Sequence, residues 1–193
     1  SKTERVIRTA LIGAGRMGRN HLIAARAIGL RVVGVCDRKE ATLKALSDEA
    51  KLRSEQRFTN GVQLLENKNQ ECVIVTTTTP AHCVYTCLAA EMGAKTILCE
   101  KPMGASLEEC DRMIRTCKKY GVRLAVNHQM RFMDQYTEPK KIIHSDLFGG
   151  LSSVTVVGGN FGMAMNGTHY FEMFRYMTEE EPYEVTAWFS KGK

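Results

Sequence analysis

Three glycines near the amino end of the chain have the spacing of a phosphate-binding turn. The segment 13–18 reads Gly-Ala-Gly-Arg-Met-Gly, follows the apolar run 6–12 and precedes a stretch with helical spacing, 19–28. Between a strand and a helix, the first glycine makes a turn, the second lets the backbone approach a pyrophosphate, and the third packs the helix on the strand. The helix N-terminus then faces negative charge. The alternative is that these glycines serve packing only.

An acidic residue follows at the distance that this motif requires. A second apolar run, 32–36, leads directly to Asp37, nineteen residues after Gly18. A carboxylate in this place accepts hydrogen bonds from an adenosine ribose. Asp37 favours NAD because it would repel the 2′-phosphate of NADP, whereas the neighbouring Arg38 leaves NADP as an alternative. The pattern predicts a dinucleotide site that includes Gly13, Gly15, Gly18 and the loop residues Arg16 and Met17.

Strands and helices alternate around these residues. The apolar runs predict strands at 6–12, 32–36, 56–59, 72–76, 96–99 and 122–126, and helical periodicity is found at 19–28, 39–51, 61–67, 83–92 and 107–120. Regular alternation of this kind is typical of parallel strands joined by helical crossovers. We therefore predict an α/β domain over residues 1–126, built as a doubly wound parallel sheet.

A polar turn follows the buried-looking strand 72–76 and contains Thr77, Thr78, Pro80 and His82. Open α/β sheets bind ligands at the carboxyl ends of their strands, so this turn is a second candidate wall of the dinucleotide site. His82 could also belong to a metal site with the helical cysteines at 83 and 87. Since a matching second ligand pair is missing, packed thiols are the favoured interpretation, and we predict no metal.

Lys101 has the strongest case for proton chemistry. It follows the strand 96–99 at the ligand-binding edge of the sheet, between Glu100 and Pro102, and a proline restricts the local backbone. A partly buried lysine can exchange a proton with a substrate hydroxyl. The alternative is a surface ion pair with Glu100. His21, in the first helix, is interpreted as a packed histidine and not as a ligand.

Composition excludes several other classes. Hydrophobic residues make up 44% and charged residues 25% of the 193 residues, with a net charge of +6, which is ordinary for a globular protein. No apolar run approaches the roughly 20 residues that span a bilayer, and no basic and aromatic stripe suggests nucleic acid. Seven cysteines without framework spacing favour a reducing compartment, so we expect a cytoplasmic protein.

The region 127–193 has a different pattern. It predicts helices at 139–145 and 168–177 and strands at 151–157 and 183–190, separated by a glycine-rich loop. These elements are too few for a closed second domain. We expect them to form the beginning of an incomplete α+β open-sheet domain.

The chain resembles the glucose–fructose oxidoreductase/inositol dehydrogenase (Gfo/Idh/MocA) family of NAD(P)-dependent oxidoreductases. The motifs that carry the likeness are the glycine segment, Asp37, Glu100-Lys101-Pro102, Arg131-Phe132 and Gly167-Thr168-His169. The resemblance implies a Rossmann domain followed by an open-sheet domain. It also implies that Lys101 lies beside nicotinamide and substrate as the principal catalytic residue, that Glu100 belongs to the cofactor site, and that the lysine–proline bond is often cis.

The likeness makes His169 the second catalytic candidate, with one departure from the family pattern. An aspartate often stands four residues before this histidine, and here the position is Met165. Arg131 resembles a family position near the substrate, although a structural salt bridge is nearly as well favoured. Asn166, beside Met165, is polar and cannot act as a base, and we predict that it contacts the substrate. Glu172, three residues after His169, shares its helical face and could orient it.

The function that follows is hydride transfer between nicotinamide and a secondary alcohol or ketone of a sugar, nucleotide sugar or cyclic polyol. The resemblance further implies a homo-oligomer when the protein is full length, and a fragment with little turnover. Met165 keeps a non-catalytic dinucleotide sensor as the alternative. A flavin-binding protein of the same fold is a weaker third possibility.

Overall fold

The computed structural model describes residues 5–67, 69–159 and 162–188. Two compact units divide the chain, one ending at Asn127 and one beginning at His128.

The first unit is built on a six-stranded sheet in the order β3-β2-β1-β4-β5-β6. Every neighbouring pair is parallel. Chain order reverses beside β1, which lies between β2 and β4, and this is the switch point at which open sheets bind ligands. The strands are β1 Arg8–Ile12, β2 Arg31–Cys36, β3 Arg57–Phe58, β4 Cys72–Val75, β5 Thr96–Cys99 and β6 Arg123–Val126.

Helices cover both faces of this sheet. They are α1 Arg16–Ala27, α2 Glu40–Glu49, α3 Gly61–Asn67, α4 His82–Glu91 and α5 Leu107–Lys119. Side chains alternate along each strand, so Leu11 packs with α1 and α2 while Ile12 packs with α3, α4 and α5. Burial on both faces explains why the central strands are continuous apolar runs. The predicted doubly wound sheet is confirmed.

Helix α1 begins three residues earlier than its periodicity suggested. Its first residue is Arg16, and its N-cap is Gly15. The helix therefore starts inside the glycine segment, because the backbone turns at Gly13 and is already helical at the residue after Gly15. This start directs the N-terminus of α1 at the switch point of the sheet.

The second unit contains helices α6 Asp134–Ile143 and α7 Thr168–Thr178 and, among its described residues, no strand. The predicted strand at 151–157 is wrong, and so is the part of the second predicted strand at 183–188; residues 189 and 190 lie outside the described residues. Apolar alternation forms a strand only where a neighbouring strand can accept its hydrogen bonds. Helix α6 also begins before Pro139, which lies inside it, whereas the sequence suggested a start at that proline.

No helix in the described ranges is long and apolar enough to cross a membrane.

Candidate dinucleotide site and the Lys101 segment

A cavity of about 500 Å³ opens where β1, β2 and β4 end. Eight residues of the predicted dinucleotide site line it: Gly13, Gly15, Arg16, Met17, Asp37, Arg38, Thr77 and Thr78. The structure thus brings together residues from three separate strand ends, because parallel strands present their carboxyl ends at one edge of a sheet. Gly18, Pro80, His82, Glu100 and Lys101 are not among the lining residues.

Gly13 and Gly18 are required by contacts within the chain. Gly13 has φ +106°, and a Cβ atom there would lie 2.5 Å from the carbonyl carbon of Thr76. A Cβ on Gly18 would overlap the carbonyl oxygen of Gly13. Both residues therefore let α1 and the end of β4 approach the turn after β1, and a side chain at either position would force them apart.

Gly15 differs from its two neighbours in the motif. Its φ of −70° is ordinary for any residue, and a Cβ there would meet nothing within 4 Å. Gly15 also lines the cavity. Nothing in the surrounding protein requires a glycine at this position, so the space in front of it is suited to a group that approaches the backbone from outside.

The N-terminus of α1 is suited to an anion. Gly15 provides no side-chain cap, and the first turn contains no acidic residue. The first-turn N–H groups of a helix can then donate to a phosphate, and the helix dipole adds to the attraction. Arg16, Arg38 and Lys39 contribute cationic side chains to the cavity lining. These features fit the pyrophosphate of a dinucleotide.

Hydrogen bonds hold the glycine turn from both sides. The Gly13 N–H donates to the Cys36 carbonyl at 2.8 Å, and the Thr76 hydroxyl donates to the Gly13 carbonyl at 2.7 Å. The Ala14 N–H donates to Oδ2 of Asp37 at 2.9 Å. Ends of β2 and β4 thus fix the turn in place. Sequence reasoning treated Thr76 only as part of a strand.

Asp37 keeps acceptor capacity toward the cavity. Its Oδ1 accepts the Lys39 N–H at 2.9 Å, and its Oδ2 accepts the Ala14 N–H. Each carboxylate oxygen has two lone-pair positions, so one on each oxygen is available for a ribose hydroxyl. These backbone contacts also orient the carboxylate before a ligand arrives.

Thr42 and Tyr85 line the cavity although the sequence did not single them out. They come from α2 and α4, where no local signal marks the face that borders the cavity. Burial, with a smaller contribution from Cys36, raises the pKa of Tyr85 above its ordinary value. Its phenol is therefore a neutral hydrogen-bonding group beside the end of β2.

His82 does not face the cavity. The residue is only 1% exposed. Its Nδ1 is 2.9 Å from the Pro102 carbonyl oxygen, and its Nε2 is 3.0 Å from the Thr77 carbonyl oxygen. Pro80 lies in the 3₁₀ turn Thr79–Ala81 just before α4. This arrangement makes His82 a link between two loops and not a wall of the cavity.

Glu100 is also buried, at 4% exposure. Its Oε1 accepts hydrogen bonds from Nε2 of His21 and Nδ2 of Asn127, each at 2.7 Å. Its Oε2 accepts the Lys101 N–H at 3.2 Å. Burial raises the pKa of this carboxyl, but hydrogen bonds from His21 and Asn127 outweigh it, and the pKa is lowered overall. Glu100 is therefore a buried carboxylate with three hydrogen-bond donors and not a carboxylate at the surface.

Lys101 is the second residue after the end of β5, at the same edge of the sheet as the cavity. Its peptide bond to Pro102 is cis, in agreement with the expectation from the family resemblance. The side chain is half-buried.

In the second unit, His169 is 4% exposed. Its ring meets that of His128 edge to face, with centroids 5.7 Å apart, and Nε2 of His128 lies 3.0 Å from the Thr168 hydroxyl. His128 was not singled out by the sequence, since no motif marks it. Met165 and Asn166 lie on the exposed π-helical turn Met163–Gly167.

Arg131 forms a structural ion pair, which was one of the two interpretations of this residue from the sequence. Its Nη1 lies 2.8 Å from Oε1 of Glu172, and its guanidinium lies over the Tyr176 ring at 5.1 Å. Oε2 of Glu172 lies 3.4 Å from Arg175. Both carboxylate oxygens of Glu172 thus pair with arginines, so its contacts mainly support a structural role in the second unit.

No cluster of metal-ligating side chains occurs in the ranges that the structure describes. Cys83 and Cys87 are buried in the core against the sheet. Their interpretation as packed thiols agrees with this placement.

A parallel sheet in this strand order, with a glycine turn and a helix N-terminus at its switch point, defines a Rossmann dinucleotide-binding fold. The family model of the oxidoreductase family with the NAD-binding Rossmann fold (GFO_IDH_MocA) matches residues 7–128. The chain belongs to this family.

Named relatives act on polyols or are similar in fold. The chain is 29% identical over 197 residues to the myo-inositol 2-dehydrogenase of Thermotoga maritima, covering 94% of this chain and 58% of that protein. It is 32% identical over 150 residues to an inositol 2-dehydrogenase of Salmonella typhimurium, covering 74% and 43%. The WlbA dehydrogenase of Bordetella pertussis, solved with NADH and UDP-GlcNAcA, matches with a TM-score of 0.75 at 24% identity, covering 90% and 58%. The chain therefore spans about half the length of the relatives it matches.

Proposed function

We propose that the protein is an NAD-dependent oxidoreductase that transfers hydride between nicotinamide and a secondary alcohol or ketone of a sugar, nucleotide sugar or cyclic polyol. The observation that carries the proposal is Gly15, which lines the cavity although its φ and surroundings would accept a side chain. Relatives named as myo-inositol 2-dehydrogenase and D-apiose dehydrogenase support the substrate class.

The cofactor contacts follow from the lining of the cavity. The N-terminus of α1 would hold the pyrophosphate, and Asp37 would accept the ribose hydroxyls. Arg16, Met17, Arg38, Thr77 and Thr78 would form the walls. Asp37 favours NAD because its carboxylate would repel the 2′-phosphate of NADP. Arg38 leaves weaker binding of NADP as the second outcome. Pro80, His82 and Glu100 would act by supporting the loops.

Lys101 would exchange a proton with the substrate hydroxyl, and His169 would assist it. The bound nicotinamide would supply the hydride chemistry. Lys101 follows a strand at the ligand-binding edge of the sheet, and a lysine can act as an acid or a base when its surroundings bring its pKa toward the working pH. Arg131 and Asn166 would contact the substrate, with Arg131 remaining paired to Glu172.

Binding is tested by titration of NADH and NADPH, followed by fluorescence, on the wild type and on Gly15→Ala. We expect NADH to bind more tightly than NADPH. In Gly15→Ala the dissociation constant for NADH should rise at least tenfold, or about 1.4 kcal/mol, while the melting temperature is retained because the new Cβ has no neighbour within 4 Å. An unchanged NADH affinity in Gly15→Ala would remove the central support of the proposal.

Turnover is tested with NAD and a panel containing myo-inositol, pentoses and UDP-sugars. Oxidation should be lost in Lys101→Ala while NADH binding persists. Loss of NADH binding in Lys101→Ala would instead assign this lysine to cofactor binding.

Met165 favours one alternative, a dinucleotide-binding sensor without turnover. It is 58% exposed and occupies the position where an aspartate often stands in the family that the chain resembles. NADH binding without oxidation or reduction of any compound in the panel would support the sensor. Restored turnover in Met165→Asp would locate the loss at this position.

We further propose that the protein is cytoplasmic and forms a homo-oligomer. Residues 127–193 would belong to a second, substrate-binding domain. All cysteines in the described residues are free thiols, which supports a reducing compartment. Light scattering after size exclusion tests the oligomer, and fractionation of the cells that produce the protein tests the location.

A further inference from the structure

Two histidines, the partly buried His21 and the buried His82, hold the backbone on either side of Lys101. His21 lies 79 residues before Glu100 in the sequence, and its Nε2 is 2.7 Å from the Glu100 carboxylate. His82 lies 20 residues before Pro102, and its Nδ1 is 2.9 Å from the Pro102 carbonyl oxygen. Lys101 is the single residue between these two attachment points.

On the His21 side, the network is compact and well paired. The side chains of His21 and Glu100 are 12% and 5% exposed. Asn127, the residue after β6, donates to the same carboxylate oxygen at 2.7 Å. The other oxygen accepts the Lys101 N–H, so the carboxylate connects α1 and the end of β6 to the backbone of Lys101. A buried carboxylate costs free energy unless such partners satisfy it.

The imidazole ring of His82, which contacts the Pro102 carbonyl, also contacts a residue that lines the cavity. Its Nε2 is 3.0 Å from the carbonyl oxygen of Thr77, and Thr77 lines the cavity. Helix α1, which carries His21, begins at the glycine turn that forms the opposite part of the same cavity. Each histidine therefore joins the Lys101 segment to an element that borders the candidate dinucleotide site.

We propose that His21 and His82 are positioning residues for Lys101, His21 through Glu100 and His82 through the Pro102 carbonyl. They fix the distance and direction of the Lys101 amine relative to the cavity walls, without contacting cofactor or substrate. The consequence for catalysis rests on the proposed function, whereas the placement of Lys101 does not.

The test measures the reactivity of the Lys101 amine directly. The full chain is reductively methylated with formaldehyde and cyanoborohydride below its melting temperature, and each lysine is quantified by mass spectrometry. In His21→Gln and His82→Gln the rate at Lys101 should rise at least threefold, because the segment loses one attachment. Lys44, exposed and paired with Asp48 at 2.5 Å on α2, is the internal control and should react at the wild-type rate.

Glu100→Gln is the variant that best preserves the packing. The amide keeps an oxygen for His21 and Asn127 but places an NH₂ group where Oε2 accepts the Lys101 N–H. It should raise the labelling rate of Lys101 and keep the NADH dissociation constant within twofold. Arg26→Gln is the matched control on α1, since Arg26 donates to the Ala50 carbonyl at the far end of that helix, and it should leave Lys101 labelling unchanged.

Two outcomes separate this proposal from the proposed function. If the full-length wild type lacks turnover and Lys101 labelling still rises in the three variants, the oxidoreductase proposal fails and the positioning role stands. If the wild type is active, kcat should fall at least tenfold in His21→Gln with NADH affinity retained. Unchanged labelling of Lys101 in His21→Gln, His82→Gln and Glu100→Gln would overturn the positioning role, and so would an equal rise at Lys101 and Lys44.

Discussion

The glycine turn and the Lys101 segment lie at the same edge of one sheet but are held in different ways. The turn depends on close backbone contact, because Gly13 and Gly18 leave no room for a Cβ atom. The Lys101 segment depends on buried side chains, because Glu100 and the Pro102 carbonyl are bound by histidines from two helices.

This difference separates the two sites in their response to mutation. A backbone contact cannot be relaxed without moving a helix or a strand, so changes at Gly13 and Gly18 should act mainly on folding. A side-chain network can lose one hydrogen bond while its volume is kept, so isosteric changes near Lys101 should act mainly on position and reactivity. Effects on folding and effects on the reactivity of Lys101 are therefore separable by mutation.

The largest effect is expected at Gly18. Gly18→Ala places a Cβ against the Gly13 carbonyl oxygen, which should lower the free energy of unfolding by about 3 kcal/mol or more. Urea denaturation followed by circular dichroism measures the change. Gly15→Ala is the matched control and should remain near the wild type, and equal losses in the two variants would contradict the steric role of the contact between Gly18 and the Gly13 carbonyl.

A smaller loss is expected at Thr76. Thr76→Val removes the hydroxyl that donates to the Gly13 carbonyl at 2.7 Å, and the unsatisfied acceptor should cost about 1–2 kcal/mol. Thr77→Val is the control, since the Thr77 hydroxyl donates to the carbonyl of the exposed Thr78. A loss at Thr77 as large as at Thr76 would contradict the anchoring of the turn by β4.

On the Lys101 side, the cap of α5 should contribute about 1 kcal/mol. The Ser106 hydroxyl accepts the Glu109 N–H at 3.2 Å, and Ser106→Ala removes this acceptor. Ser54→Ala, which removes the hydroxyl of an exposed serine, is the control. The expected result is a lower unfolding free energy with unchanged labelling of Lys101, and a change in that labelling would mean that α5 also positions the segment.

The effect of Glu100→Gln on stability should depend on pH. The pKa of Glu100 is lowered in the folded protein, so its ionised form stabilises the fold above the ordinary glutamate pKa of about 4.3. This contribution is lost as the pH falls below that value and through the folded pKa. The stability difference between wild type and Glu100→Gln should shrink over this range.

Urea titrations between neutral and acidic pH measure this difference. Ser106→Ala changes no titratable group and should keep the pH slope of the wild type. Parallel curves for wild type and Glu100→Gln would contradict the role of the paired carboxylate.

The sequence by itself determined the local parts of this protein. Apolar runs and helical periodicity placed the strands and helices up to residue 126 with small errors at their ends. The glycine motif, Asp37 and the polar turn after β4 predicted which strand ends would border a ligand. These features can be read from sequence because they depend on residues that are neighbours in the chain.

Only the tertiary structure decided which distant side chains meet. His21 and Glu100 are 79 residues apart, and nothing in either local sequence specifies the pairing, because it follows from how α1 packs on the sheet. The strands predicted at 151–157 and 183–188 failed for the same physical reason, since alternation favours a strand but a neighbouring strand must complete it. Gly15 is distinguished from Gly13 and Gly18 only in three dimensions, where the space beside it leads to the cavity.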